Sequence, residues 1–317
     1  MEKVFHGIEE FTKSSSVFKT ILALALYFGA IHFNVALILF AALFLPLSEA
    51  LSVLCFLLVF VLLPVDENSI FGRKLSRYIS KHICNYFPIT LHIEDTEAFD
   101  PNRAYVFGYE PHSVFPIGIA ALSDNVGLMP LPKIKALASS AAFYIPFLRH
   151  IWTWLGFSPV TKKNFISLLE AGYSCILVPG GLRETHFMEH DCEIAFLKER
   201  RGFVRIAMEM GQPLVPVFCF GQTNAYKWRK APWKLIRNLA TSLKIFPLFF
   251  WGIYGSPIPF KKPLYVVVGR PIELEKNPQP TKEQIAKVHS QFIEALQDLF
   301  ERYKALAGYT NLKFKII

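Results

Sequence analysis

Residues 105–118 read Tyr-Val-Phe-Gly-Tyr-Glu-Pro-His-Ser-Val-Phe-Pro-Ile-Gly, a polar Glu110-Pro111-His112-Ser113 set between two apolar runs. A short aromatic and β-branched run closed by a proline reads as a buried strand with a turn at its end. Side chains just past a strand end face the crevice where open α/β sheets bind ligands. A histidine there suits general-base work, because its unperturbed pKa lies near neutrality. The structural alternative is a histidine that only closes the strand end by hydrogen bonding.

Working outward, the same kind of run recurs. Residues 103–109, 174–180, 213–221 and 263–271 are short, apolar and bounded by Gly or Pro, as strands buried on both faces are. Helical patterns lie between them near 163–172 and 201–211. A last helix starts at Thr281, which forms a capping-box pattern with Gln284, and stops at Gly308. Apolar positions from Ile285 to Phe300 follow helical spacing. The alternation predicts an α/β domain over residues 65–317.

Ahead of it, residues 18–63 are apolar apart from a few polar positions, which include Lys19, His32, Asn34, Ser48 and Glu49. A spanning helix needs about 20 apolar residues, so this run is too long for one span. Pro46, Ser48 and Glu49 divide it, and a transmembrane or re-entrant helical hairpin over 18–64 is predicted. Lys3, Lys13 and Lys19 precede it; Arg73, Lys74, Arg77 and Lys81 follow it; the link carries no positive charge. By the positive-inside rule both ends face the cytosol, with residues 1–17 as a cytosolic N-terminal segment.

Of the 317 residues 52% are hydrophobic, 30 are Phe, and the formal net charge is +9. The sequence has neither a basic block interleaved with aromatics nor a zinc-finger spacing, which argues against nucleic acid and for lipid. Five scattered cysteines without a CxxC pair suit a reduced, cytosol-facing protein in which they pack as small apolar groups.

A second segment with chemical potential is Pro179-Gly180-Gly181, followed by Glu184. Paired glycines after a strand allow close approach and can aim N–H groups at developing negative charge. Glu184 stands where it could reach a neighbouring imidazole. His186-Phe187-Met188-Glu189-His190 matches a zinc pattern that needs both histidines on one helix face. Lys198, Arg200, Arg201 and Arg205 form a cation run suited to phosphate groups or to a solvated face.

In order along the chain, Tyr86-Phe87-Pro88, Glu110-Pro111-His112-Ser113, Pro179-Gly180-Gly181 with Glu184, Arg201-Gly202-Phe203-Val204, Val215-Pro216-Val217-Phe218 and Gly269-Arg270-Pro271-Ile272 resemble the blocks of the type-2 diacylglycerol acyltransferase family. That family includes monoacylglycerol acyltransferases and wax synthases. The EPHS form resembles plant and algal members; animal and fungal members carry HPHG. Related glycerolipid acyltransferases use H-x4-D, but here the position after four intervening residues is Ile117.

The resemblance implies a glycerolipid-acyltransferase-like mixed sheet flanked by helices. It implies transfer of an acyl group from acyl-CoA, a co-substrate, to the hydroxyl of diacylglycerol, with monoacylglycerol or a long-chain alcohol as alternative acceptors. His112 is the expected base, Glu184 its orienting acid and Glu110 the second choice. Gly180 and Gly181 are the expected oxyanion turn, and Lys198, Arg200, Arg201 and Arg205 the CoA-phosphate site. It implies no metal or other cofactor, a lipid bilayer as partner, compatibility with a homo-oligomer, and an endoplasmic-reticulum membrane location with lipid droplets as a second address. The KFKII end, with Lys313 and Lys315, resembles a dilysine retrieval signal. The rivals are a zinc-dependent hydrolase built on His186 and His190, a serine hydrolase, for which no G-x-S-x-G elbow occurs, and a non-catalytic lipid-binding protein.

Overall fold

A computed structural model describes residues 1–7, 9, 16–230 and 248–317. In chain order its strands are β1 (Lys3–His6), β2 (Ile89–Ile93), β3 (Val106–Glu110), β4 (Ile134–Ala138), β5 (Phe157–Pro159), β6 (Ser174–Leu177), β7 (Cys192–Ala195), β8 (Leu214–Phe220), β9 (Lys227–Lys230), β10 (Leu248–Trp251), β11 (Leu264–Val268) and β12 (Lys313–Ile316). The helices are α1 (Val17–Phe44), α2 (Leu47–Leu62), α3 (Ile70–Tyr86), α4 (Leu148–Trp154), α5 (Lys162–Glu170), α6 (Gly202–Met210) and α7 (Lys282–Tyr303).

Eight strands form one mixed sheet in the order β1-β2-β11-β8-β3-β6-β4-β5. Its centre is parallel: β3 pairs with β8 on one side and β6 on the other. Strand alternation divides the core. Phe107, Tyr109, Val215 and Val217 pack with Leu24 and Tyr27 of α1 and Ile79 and Ile83 of α3. Val106, Leu214 and Phe218 pack with Phe165 of α5, Phe203 of α6 and Phe292 of α7. Burial on both faces explains why these strands read as near-continuous apolar runs.

The sequence-predicted helices near 163–172 and 201–211 are α5 and α6. Thr281 and Gln284 form the capping box that starts α7. Regular helix ends at Tyr303, five residues before Gly308. The chain then closes in a Schellman arrangement: Tyr309 N–H donates to Lys304 O at 2.7 Å and Gly308 N–H to Ala305 O at 3.0 Å, with Gly308 at φ +84°.

The apolar run breaks at Leu45-Pro46 into α1 and α2. Both helices reach Phe147: Phe33 of α1 lies 5.7 Å and Phe60 of α2 4.4 Å from its ring. Only α1, at 28 residues, is long and apolar enough to cross a bilayer, among the described residues. The 16 residues of α2 fall short of the length a full span needs. Leu24, Tyr27 and Phe28 of α1 are buried in the core, but Leu39, Phe44, Leu47, Phe56 and Leu62 are all exposed, so the far part of the pair leaves a large apolar surface bare.

Two terminal segments are part of the fold. β1 pairs antiparallel with β2 at the sheet edge, so residues 3–6 are not a separate N-terminal segment. β12 pairs in parallel with β7. The dilysine-like KFKII is therefore a paired strand, with Lys315 bound to Glu189 at 3.0 Å.

α7 presses directly on β3. A Cβ added to Gly108 would lie 2.3 Å from Cζ of the fully buried Phe292. Gly108→Ala should destabilise the chain by about 1–3 kcal/mol, as overpacking does. Combining it with Phe292→Leu should recover part of the loss. Thermal melts of the two variants check this; equal melting of wild type and Gly108→Ala would refute the contact.

Candidate active site

Because β8, β3 and β6 run parallel, their C-terminal ends lie side by side, and three loops meet there. The β3 loop brings Glu110-Pro111-His112-Ser113. The β6 loop brings Pro179-Gly180-Gly181 and a 3-10 turn, Gly181–His186, that carries Glu184. The β8 loop brings Gln222 and Thr223, and β7 adds Glu193.

His112 is half-buried. Its Nδ1 lies 2.9 Å from the Ser113 carbonyl, which can only accept, so Nδ1 carries the proton and Nε2 the lone pair. Burial lowers the ring's pKa from its ordinary value, with the Ser113 carbonyl opposing. The ring is thus neutral, in the tautomer of a base, at neutral pH.

The expected pairing of Glu184 with the imidazole takes a different form. Glu184 Oε1 accepts the main-chain N–H of His112 at 2.5 Å, and Oε2 accepts that of Phe196 at 3.1 Å. The acid positions the histidine's backbone, while a carbonyl orients the ring. The turn glycines serve that acid. A Cβ at Gly180 would sit 2.4 Å from Glu184 Oε2, and Gly181 takes φ +55°. The Gly181 N–H donates to Val178 O at 3.1 Å, so it is engaged in the turn and is not an oxyanion donor here.

Glu110, fully buried, has both oxygens without a geometric hydrogen-bond partner among the described residues. Desolvation first, and then the adjacent Glu184 charge, push its pKa well above the ordinary carboxylate range. Burial also raises Glu184 to about 7, against the hydrogen bonds it accepts. Glu193 is raised to about 7 by burial, with the Thr223 hydroxyl opposing.

Ser113 is strained. Its φ of +52° lies in the left-handed region, which costs a non-glycine residue energy. A polar relay holds it. Gln222 Nε2 donates to the Pro111 carbonyl at 2.8 Å and to Ser113 Oγ at 3.4 Å. Ser113 Oγ and Thr223 Oγ1 are 2.8 Å apart, and Thr223 donates to Glu193 Oε2 at 2.8 Å. Tyr109 OH and Gly118 N–H fix the other end of Gln222 at 2.6 and 3.0 Å. The left-handed position also explains why a glycine can stand there in the HPHG form.

The remaining expected residues divide. Arg201 and Arg205 sit one turn apart on α6, and Arg205 pairs with Glu209 at 3.4 Å. Lys198 donates its main-chain N–H to Ile317 O at 2.9 Å. Arg200 lies 5.0 Å over the Phe196 ring, its pKa lowered by burial and by Arg183. Residues 186–190 are not a helix, so His186 and His190 lack the shared face a zinc site needs; His190 stacks on Trp228 at 4.2 Å.

Gln222, Thr223 and Glu193 escaped the sequence reading, which took 213–221 only as a buried strand. A polar Gln-Thr-Asn directly after a wholly apolar strand, turned by Gly221 at φ +86°, was the available signal.

A neutral histidine thus stands at the ends of parallel strands, with three buried acids and exposed apolar helices around it. The chain belongs to the diacylglycerol acyltransferase family, whose model matches residues 41–315. It is 34% identical to diacylglycerol O-acyltransferase 2 of Dictyostelium discoideum, covering 74% of this chain and 76% of that one. It is 31% identical to human 2-acylglycerol O-acyltransferase 1 (72% and 73%) and 30% identical to human acyl-CoA wax alcohol acyltransferase 2 (73% and 74%). Among solved structures it is similar to the Thermotoga maritima 1-acyl-sn-glycerophosphate acyltransferase PlsC, with TM-score 0.43 at 14% identity over 90% of this chain and 97% of that one.

Two outcomes follow from the strained serine and the raised acid. Ser113→Gly relieves the backbone where Ser113→Ala does not, so the alanine variant should melt lower by about 1 kcal/mol; the reverse order in thermal melts would refute the strain. Glu193 binds its proton more tightly folded than unfolded, so its contribution is full below the ordinary 4.5 and lost as pH rises to about 7. Glu193→Gln should gain about 3 kcal/mol of stability over wild type between those limits. A variant-to-wild-type difference independent of pH would contradict the shift.

Proposed function

We infer that the chain transfers a fatty acyl group from acyl-CoA to the hydroxyl of diacylglycerol, giving triacylglycerol, with His112 as general base. The observation that carries the reading is the Nδ1–H tautomer imposed by the Ser113 carbonyl, which leaves Nε2 as the proton acceptor. In this reading Nε2 removes the acceptor's hydroxyl proton as the oxygen attacks the thioester carbonyl. The tetrahedral adduct collapses with loss of CoA as thiolate, which the imidazolium protonates. The charged ring is favoured by the Ser113 carbonyl, which accepts from Nδ1. No acyl-enzyme, metal or other cofactor is needed for direct attack.

The fold supports a membrane setting. β1 precedes α1 and pairs with β2, which follows α2, so the chain must return to the side it left. That favours α1 and α2 together as a hairpin that enters and leaves one face of the bilayer, over a single crossing. With the basic flanks it supports an endoplasmic-reticulum membrane enzyme with the α/β domain and both ends in the cytosol.

Relatives named for 2-acylglycerol and wax alcohol transfer make those acceptors the alternatives. Purified protein incubated with labelled oleoyl-CoA and diacylglycerol, monoacylglycerol, a long-chain alcohol or water decides among them. Triacylglycerol should dominate. Free fatty acid alone would indicate a hydrolase and no turnover a binding protein. His112→Ala should lower kcat by about 10²- to 10⁴-fold. The acidic limb of kcat/KM should fall below pH 6.5, since burial lowers the histidine. Wild-type turnover in His112→Ala would overturn the base assignment.

A further inference from the structure

Beyond the loop ends lies a cavity of about 580 Å³ whose lining includes His190, Thr223, Tyr226, Lys227, Trp228 and Lys262. It adjoins the catalytic loop, because Thr223 lines it and contacts Ser113 Oγ at 2.8 Å. It also adjoins the apolar helix: Tyr226 lies 6.2 Å from Phe28 of α1 and 5.7 Å from Phe115.

We propose that this cavity binds the nucleotide end of acyl-CoA, the adenine with its ribose phosphates. The proposal rests on the acyltransferase reading and names where that co-substrate sits. Three features carry it. His190 lies flat on Trp228, 16° from parallel, and makes an aromatic wall of the kind on which a purine stacks. Lys227 and Lys262 are exposed cations, and among the described residues neither has a carboxylate within ion-pair distance. Lys227 is held 5.8 Å over the Phe260 ring, so its charge is kept at the cavity. The third feature is continuity: one wall ends at Thr223, next to the base, so a chain lying along it leads from the phosphates to the reacting carbonyl. Glu193 stands behind Thr223 and not on the cavity wall, and its raised pKa limits the negative charge there.

The cation run at 198–205, where phosphate binding was expected, is bound up elsewhere in part: Arg205 faces Glu209 and Arg200 covers Phe196. The cavity joins aromatic surface and two cations without an ion-pair partner among the described residues, beside the loop that carries Thr223.

The test uses the full chain in an uncharged detergent, which removes anionic lipid as a rival ligand. Calorimetric titration with CoA, 3′-dephospho-CoA and phosphopantetheine is compared for wild type, Lys227→Ala/Lys262→Ala and Lys227→Arg/Lys262→Arg. CoA should bind wild type about five- to tenfold more tightly than 3′-dephospho-CoA, since each phosphate contact to a cation is worth about that factor. The alanine pair should lose at least tenfold in CoA affinity and most of that discrimination. The arginine pair should keep both, and the KM for acyl-CoA should rise in step with the binding loss. Wild-type CoA affinity in the alanine pair, or an equal loss in the arginine pair, overturns the site and leaves the transferase standing if esters still form. A wild-type chain that neither binds CoA nor transfers acyl groups overturns the transferase reading itself.

Discussion

Glu184 is a buried acid that grips two main-chain N–H groups, one from His112 and one from Phe196. Those groups belong to segments 84 residues apart in sequence. Without the carboxylate two amides at the base of the site lose their acceptor, and an unsatisfied buried donor costs about 1–3 kcal/mol. Much of the neighbourhood accommodates this one grip. Gly180 has no side chain because Glu184 Oε2 occupies the space, and burial, then the neighbouring Glu184 charge, push the Glu110 pKa well above the ordinary carboxylate range. The ring of His112 is set by a carbonyl in its own loop.

This separates two tasks, holding the loop's backbone and setting the ring. Ile117, reached after four intervening residues from His112, is buried and apolar. Orientation of the ring falls to the Ser113 carbonyl, at the cost of a left-handed backbone, and the polar relay through Gln222, Thr223 and Glu193 holds the strained residue in place. A carbonyl cannot become charged, so the ring's tautomer does not depend on the ionisation of a neighbour.

The fold class was legible because strands buried on both faces have no polar alternation to conceal them: the runs around Val106, Ile176, Val217 and Val266 became four neighbours in one sheet. His112 and Glu184 were legible because both sit one loop beyond such a strand. The nature of their contact was not, since whether a carboxylate meets a ring or an amide depends on a turn of the backbone, here the positive φ at Ser113 and Gly181. Nor was the relay, because Glu193 lies on an outlying strand that, among the described residues, pairs with Lys313–Ile316 and not with the main sheet. The helical spacing of His186 and His190 misled for the same reason: four residues apart means one face only if the segment is a helix, and this one bends.

That outlying strand ties the site to a distant stretch of chain. β7 carries Glu193, leads directly into Phe196, and among the described residues pairs with Lys313–Ile316. A substitution in Lys313–Ile316 therefore reaches the acid relay under the histidine through β7, without touching any of the three loops that meet at the strand ends.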